Sequence, residues 1–310
     1  MRGAYLILLI VSLAAAMAAS ADSAPVAATT SIAEPAPYTV PNTQVRAVHS
    51  EETGADYQLF IATPPDYKTS GKTYPVVYML DADYSFALTR NIVQHYVERK
   101  QLPEMILVAI AYPGAAESLE VYRENRKRDY TPSLIPAAKA SDAGAAEPVA
   151  QGGAIRFRNF IANEVVPFMA NNFPTSADRT FIGHSYGGLF GTYVLLTEPE
   201  LFKRYVIVSP SLWYGDRLIF GVEHTTATDR HDIDRTIERH AFFAIGGAET
   251  REAMGAPMVE QLKQFYRSLE QRHDPALSLA LRVYPEDTHA SVFPGAVARG
   301  LLAVFPQPKS

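Results

Sequence analysis

Short runs of apolar side chains recur along the chain, separated by mixed stretches of helical length. Val76–Leu80 and Ile106–Ile110 are apolar throughout. Strands that read this way are buried on both faces, as in a mostly parallel sheet. Similar runs at Phe181-Ile182, Tyr205–Val208, Ala241–Ile245 and Leu279–Val283 predict further strands. Gln44–His49 and Tyr57–Ala62 mix polar with apolar positions and predict an N-terminal hairpin. Between the strands, Phe157–Asn171 sets Phe157, Phe160, Ile161, Val165 and Phe168 on one helical stripe. Val259–Arg272 does the same with Leu262, Phe265, Tyr266 and Leu269. Strands alternating with helices predict a doubly wound, mostly parallel α/β sheet with helices on both faces. No internal repeat interrupts this pattern.

The ends change the picture of where the protein works. Arg2 precedes an apolar segment, Tyr5–Ala16, and small residues follow at Ala19-Ser20-Ala21. This is the layout of a secretory signal peptide over 1–21, too short and wrongly flanked for a spanning helix; Ala16-Met17-Ala18 offers a second cleavage site, and an uncleaved anchor is the alternative. Residues 22–43 are rich in Ala, Pro, Ser and Thr and read as a flexible leader. Residues 44–310 then make one catalytic domain, a length that suits a single large α/β fold. The chain has no cysteine, so the mature protein relies on packing alone although export would permit disulfides. A periplasmic or secreted location is expected, with no stable membrane insertion once the signal is cleaved. The net charge of -5 gives no reason to expect a nucleic-acid partner. Residues 135–153 are Ala- and Gly-rich and aperiodic. A loop of that length suits a rim or lid near a site, or a surface insertion.

The chemistry is written at Gly183-His184-Ser185-Tyr186-Gly187-Gly188, a G-x-S-x-G motif. An apolar strand leads into it and the helix-compatible stretch Leu189–Leu196 leads out. A sharp strand-to-helix turn would present Ser185 Oγ at the sheet's carboxyl edge, with small residues needed at 183 and 187. A serine hydroxyl needs a base, and the base needs an orienting acid. In this arrangement the chain order is Ser, acid, His. Among the downstream histidines, His224, His231 and His240 lie in a polar stretch, and His273 sits at a helix end. His289 directly follows the strand Leu279–Tyr284, at the strand end where catalysis collects. It is the expected base. Glu249 follows the preceding strand and is the expected acid, with Glu252 as rival and a Ser-His dyad as alternative. Asp287 is too close in sequence to His289 to serve its far nitrogen. For the oxyanion, the amide of Tyr186 is one expected donor, and the loop Leu80-Asp81-Ala82-Asp83 should supply the second.

Taken together, several segments make the chain similar to the esterase family of α/β-hydrolases that includes esterase D, the mycolyltransferases and the siderophore esterases. They are Tyr74–Asp81, Arg128–Pro132, Gly183–Gly188, Ser209-Pro210-Ser211-Leu212-Trp213 and His289–Val292. The resemblance runs from about residue 44 to 300 and is nearest to trilactone esterases of the bacillibactin esterase type. It implies the α/β-hydrolase fold, Ser185 as nucleophile, His289 as base, and backbone oxyanion donors at Asp83 and Tyr186. Relatives carry Leu-Asp-Gly where this chain has Leu80-Asp81-Ala82, and alanine allows the second donor less backbone freedom. The resemblance also implies Arg128 on the substrate side and Trp213 in the pocket wall, against a structural ion pair for Arg128 and core packing for Trp213 as the alternatives. Asp81 is placed with them, although a turn-capping role suits it as well.

Arg123, Arg126, Lys127 and Arg128 form a basic run that would attract an anionic substrate. Glu124 and Asp129 lie within it, so it reads also as a solvated charged loop. His231, Asp232 and Asp234 lack metal-ligand spacing, and neither a metal nor a cofactor is expected. The expected function is that of an exported serine carboxylesterase acting on a small-molecule ester, a trilactone siderophore or related polyester. The alternatives are a general short-chain carboxylesterase, an acyltransferase of the mycolyltransferase type, and a binding protein on a hydrolase scaffold.

Overall fold

In a computed structural model, residues 35–133, 151–228 and 237–305 are described. The expected signal peptide, most of the leader, nearly all of loop 135–153 and the His231, Asp232 and Asp234 cluster lie outside them. Eight strands form one sheet: β1 (Thr43–His49), β2 (Asp56–Ala62), β3 (Tyr74–Met79), β4 (Ile106–Ala111), β5 (Thr175–His184), β6 (Arg204–Val208), β7 (Arg239–Gly246) and β8 (Leu277–Tyr284). Their order is β1-β2-β4-β3-β5-β6-β7-β8. The predicted hairpin is β1–β2, and β2 also pairs antiparallel with β4. From β4 to β8 every pairing is parallel.

The unbroken apolar runs have the reason expected of them. Along β3, Val76 and Tyr78 enter one core while Val77 and Met79 enter the other. β4, β6 and β7 divide their side chains in the same way, as the two-residue period of a strand requires. One face is covered by α1 (Ala82–Glu98) and, from the chain's end, by the helix Val292–Val304. The other is covered by α2 (Leu119–Tyr130), α3 (Ala154–Asn159), α4 (Val166–Asn172), α5 (Tyr186–Thr197), α6 (Tyr214–Thr228) and α8 (Met258–Gln271). Short α7 (Arg251–Met254) precedes α8, and Val292–Val304 is α9. Buried rings such as Phe157, Phe160, Phe181 and Phe190 pack the second face, each contributing about 1.5–3 kcal/mol by leaving water.

The predicted helix over Phe157–Asn171 forms with one irregularity. A π-helical turn, Phe160–Val165, joins α3 to α4. Pro167 follows at the start of α4 and has no amide to offer the preceding turn, and the wider turn accommodates it. The inserted turn changes the helix phase, so Met169 is buried where Phe168 was expected, and Phe168 is only half-buried. The loops leaving β3, β5, β6, β7 and β8 all open at the carboxyl edge of the parallel strands, where ligands collect in such sheets.

Candidate active site

Ser185 occupies the turn between β5 and α5 with φ 61° and ψ −119°. Such a backbone costs of order 1–3 kcal/mol and persists only where its surroundings hold it. Two hydrogen bonds to the end of β6 do so: Ser185 N–H donates to Val208 O at 3.0 Å, and Ser211 N–H donates to Ser185 O at 3.1 Å. The steric demand for glycine differs from expectation. A Cβ on Gly183 would overlap the Gly187 carbonyl, and one on Gly188 would sit 2.8 Å from Val208 O. Gly187 has ordinary clearance, its nearest neighbour being Leu80 Cδ1 at 3.4 Å. Gly188, not Gly187, therefore shares the close approach with Gly183, because it is the residue that faces the end of β6.

The loops after β7 and β8 pack backbone against backbone. Gly247 N–H donates to Tyr284 O at 2.7 Å and Ala248 N–H to Asp287 O at 3.1 Å. Side chains on Gly246 or Gly247 would collide with the carbonyls of Asp287 and Pro285. This contact brings Glu249 to His289, with Glu249 Oε2 2.7 Å from His289 Nδ1. Glu249 is fully buried, and its Oε1 accepts from Ser209 Oγ at 2.6 Å and Gly246 N–H at 2.8 Å. The carboxylate is thus satisfied on both oxygens, as a buried charge requires. Glu252 is exposed in α7. Asp287 accepts from Ser291 Oγ at 2.7 Å and so braces the turn that carries His289.

Ser185 and His289 open on one cavity of about 380 Å³, lined also by Tyr84, Leu88, Tyr122, Arg126, His184 and Phe293. Ser185 Oγ lies 3.5 Å from Ser211 Oγ. The Tyr186 amide stands at the N-terminus of α5, and the Asp83 amide in the first turn of α1. Amides in a first helical turn have no intrahelical acceptor and suit an anion; the Asp83 amide already faces its own carboxylate.

Two members of the basic run, Arg126 and Arg128, enter separate ion pairs. Arg126, not Arg128, lines the cavity. Its Nε donates to Asp81 Oδ1 at 2.6 Å and its Nη2 to Asp81 Oδ2 at 3.0 Å, both groups being buried. Burial opposes the Arg126 charge, the Asp81 carboxylate more than offsets this, and the guanidinium is held charged. It also lies over the Tyr122 ring at 4.9 Å. Arg128 instead forms a two-bond pair with Asp129, both bonds 2.7 Å, and is absent from the cavity lining. Asp81, expected on the substrate side, is buried and faces Arg126. Trp213 is partly exposed and reaches the site through Tyr186, with ring centres 6.0 Å apart. His184 and Tyr84 also line the cavity, although no sequence spacing marks them. His184 Nε2 lies 2.9 Å from the His289 carbonyl and Nδ1 3.0 Å from Tyr84 Oη. No group of three or more potential metal-ligating side chains occurs among the described residues.

A mostly parallel eight-stranded sheet, with a serine on a strained strand-to-helix turn and a His–Glu pair at neighbouring strand ends, defines an α/β-hydrolase. The family model described as "Putative esterase" matches residues 50–234, more than half of the chain, and the chain belongs to that family. It is a carboxylic-ester hydrolase. Over 266 residues it is 26% identical to the ferri-bacillibactin esterase BesA of Bacillus subtilis, covering 85% of this chain and 90% of that one. Over 174 residues it is 34% identical to a siderophore enterobactin esterase of Emericella nidulans, covering 53% and 56%. Among solved structures it is similar to the BES protein of Bacillus cereus, with a TM-score of 0.73 and 27% identity over 88% of this chain and 98% of that one. The siderophore hydrolase EstB of Aspergillus nidulans has the same fold, with a TM-score of 0.73 and 23% identity over 87% of this chain.

Proposed function

We propose that the protein is an exported serine esterase that opens ester bonds of a siderophore through an acyl-enzyme. The observation that carries the mechanism is the hydrogen bond between buried Glu249 and His289 Nδ1, with His289 and Ser185 on one cavity. A carboxylate accepts only, so the His289 proton belongs on Nδ1 and Nε2 is left as a lone pair. Nε2 takes the Ser185 proton as Oγ attacks the ester carbonyl. The Tyr186 and Asp83 amides receive the oxyanion. His289 then protonates the leaving alcohol, and a water activated by the same nitrogen releases the acid. No cofactor enters any step.

The siderophore substrate is supported by relatives named for bacillibactin, enterobactin and triacetylfusarinine C. Iron would arrive as part of the substrate. Export is supported by the Arg2, Tyr5–Ala16 and Ala19–Ala21 pattern, and a mature N-terminus beginning at residue 22 in a periplasmic or secreted fraction is the expected result.

The test compares a ferric trilactone siderophore with short-chain p-nitrophenyl esters, using wild type and Ser185→Ala. Preference for the siderophore, lost in the variant, supports the whole reading. Turnover of p-nitrophenyl esters with an untouched siderophore removes the siderophore role and keeps the mechanism. Substantial activity in Ser185→Ala sinks the mechanism.

A further inference from the structure

Glu249 holds the ring of His289, and a separate set of contacts holds its backbone. His184 Nε2 lies 2.9 Å from the His289 carbonyl oxygen, across 105 positions of sequence. The two rings are 4.6 Å apart between centres and inclined by 35°. The His184 backbone already pairs with β6 opposite Val208, so the strand itself does not need this side chain. We propose that His184 is a positioning residue for His289, holding its carbonyl through Nε2–H while Tyr84 holds His184 through Nδ1. The proposal rests on the role of His289 argued above.

The His289 carbonyl fixes the tautomer of His184. A carbonyl oxygen only accepts, so the His184 proton is on Nε2. Nδ1 is then an acceptor, and the Tyr84 hydroxyl, 3.0 Å away, donates to it. Asp81 Oδ2, 3.3 Å away, is a second acceptor within reach of the same Tyr84 proton, and Asp81 is clamped by Arg126. A chain of contacts therefore runs from the buried ion pair through Tyr84 and His184 to the backbone of the base.

The neutral state of His184 matters for the same reason. When His289 accepts the Ser185 proton it becomes a cation, and a second cation at this ring distance would oppose it. Burial, and after it the neighbouring His289, push the His184 imidazole down to about 3. The His184 ring therefore stays uncharged while its neighbour cycles. Displacement of a catalytic group by about 1 Å can cost up to about 100-fold in rate.

The experiment compares His184→Gln with His184→Met. The two side chains have similar length and volume, and only glutamine keeps an N–H that can reach the His289 carbonyl. For a p-nitrophenyl ester, His184→Met should lose about 10- to 100-fold in kcat with KM nearly unchanged, and His184→Gln should recover most of that loss. Melting temperatures and the rate at which a fluorophosphonate labels Ser185 are read on the same samples. Wild-type kcat in His184→Met, or an equal loss in both variants, overturns the positioning role. Failure of the wild type to label at Ser185 overturns the serine mechanism instead, so the two failures are distinguishable.

Discussion

The carboxylate of Glu249 touches His289 with one oxygen and Ser209 with the other, 2.7 Å from the imidazole Nδ1 and 2.6 Å from the hydroxyl. Each oxygen therefore has a separate duty, and replacing one of them has a definite consequence. In Glu249→Gln the carbonyl oxygen can still accept from Ser209 and Gly246, which leaves the amide NH₂ facing His289. An N–H donor there forces the His289 proton onto Nε2, where no lone pair remains for Ser185. A fall in kcat of about 10³- to 10⁴-fold is expected, with KM little changed, read by steady-state kinetics on an ester substrate. Retention of near-wild-type kcat would favour a Ser-His dyad.

The His184 ring also gives a pH dependence of stability. Its folded-state pKa lies below the usual histidine value, at about 3. Below about pH 6.5 the unfolded chain takes up a proton that the folded chain refuses. Stability from this group is full above that pH and is lost as pH falls toward 3, at no more than about 1.4 kcal/mol per pH unit. Melting curves between pH 7 and pH 4 should fall more steeply for wild type than for His184→Gln. Parallel curves would mean that His184 is not held neutral by the fold.

The Arg126–Asp81 pair is buried on both sides. Removing one member strands the other charge, at a cost of about 3–5 kcal/mol. Arg126→Met should therefore destabilise by about that much in urea denaturation. Asp81→Asn added to it should return part of the loss, since the orphaned charge is gone. An additive double variant would show that the two charges do not compensate each other.

Gly183 and Gly187 stand at matching places in the motif and differ in tolerance. Gly183→Ala forces a methyl group into the Gly187 carbonyl, whereas Gly187→Ala meets ordinary contacts. Gly183→Ala should cost about 1–3 kcal/mol or more from overpacking and should slow fluorophosphonate labelling of Ser185. Gly187→Ala should change the melting temperature much less. Equal effects would place the constraint in backbone freedom rather than in space.

Much of the architecture was open to reading from the chain. β3 and β4 were legible because strands buried on both faces are continuously apolar, and α8 because its one-sided stripe repeats at helical spacing. α2 was not, because the buried residues it contributes include Arg126 and Asp129. A charge looks solvated in sequence unless its partner is known; Arg126 finds Asp81 only in the fold, and the neighbouring Asp129 and Arg128 become a largely buried pair only there. The same gap separates Arg128, which the resemblance sets toward the substrate, from Arg126, which in sequence reads only as part of a basic run. Two residues apart on a helix point in different directions, and only packing decides which one enters the cavity.

By itself, the sequence determined the alternation of strands and helices, the strand-to-helix turn around Ser185, and the order in which Ser185, Glu249 and His289 follow strand ends along the chain. These are local properties, set by side-chain polarity, glycine and the two periodicities of the backbone. Tertiary structure decided that Glu249 rather than Glu252 meets His289, that Gly188 carries the close approach, and that His184 reaches the His289 carbonyl. Those pairings join residues far apart in the chain, and no local pattern encodes them. They exist because the parallel sheet brings six strand ends to one edge, where the loops must pack against each other and satisfy every buried polar group.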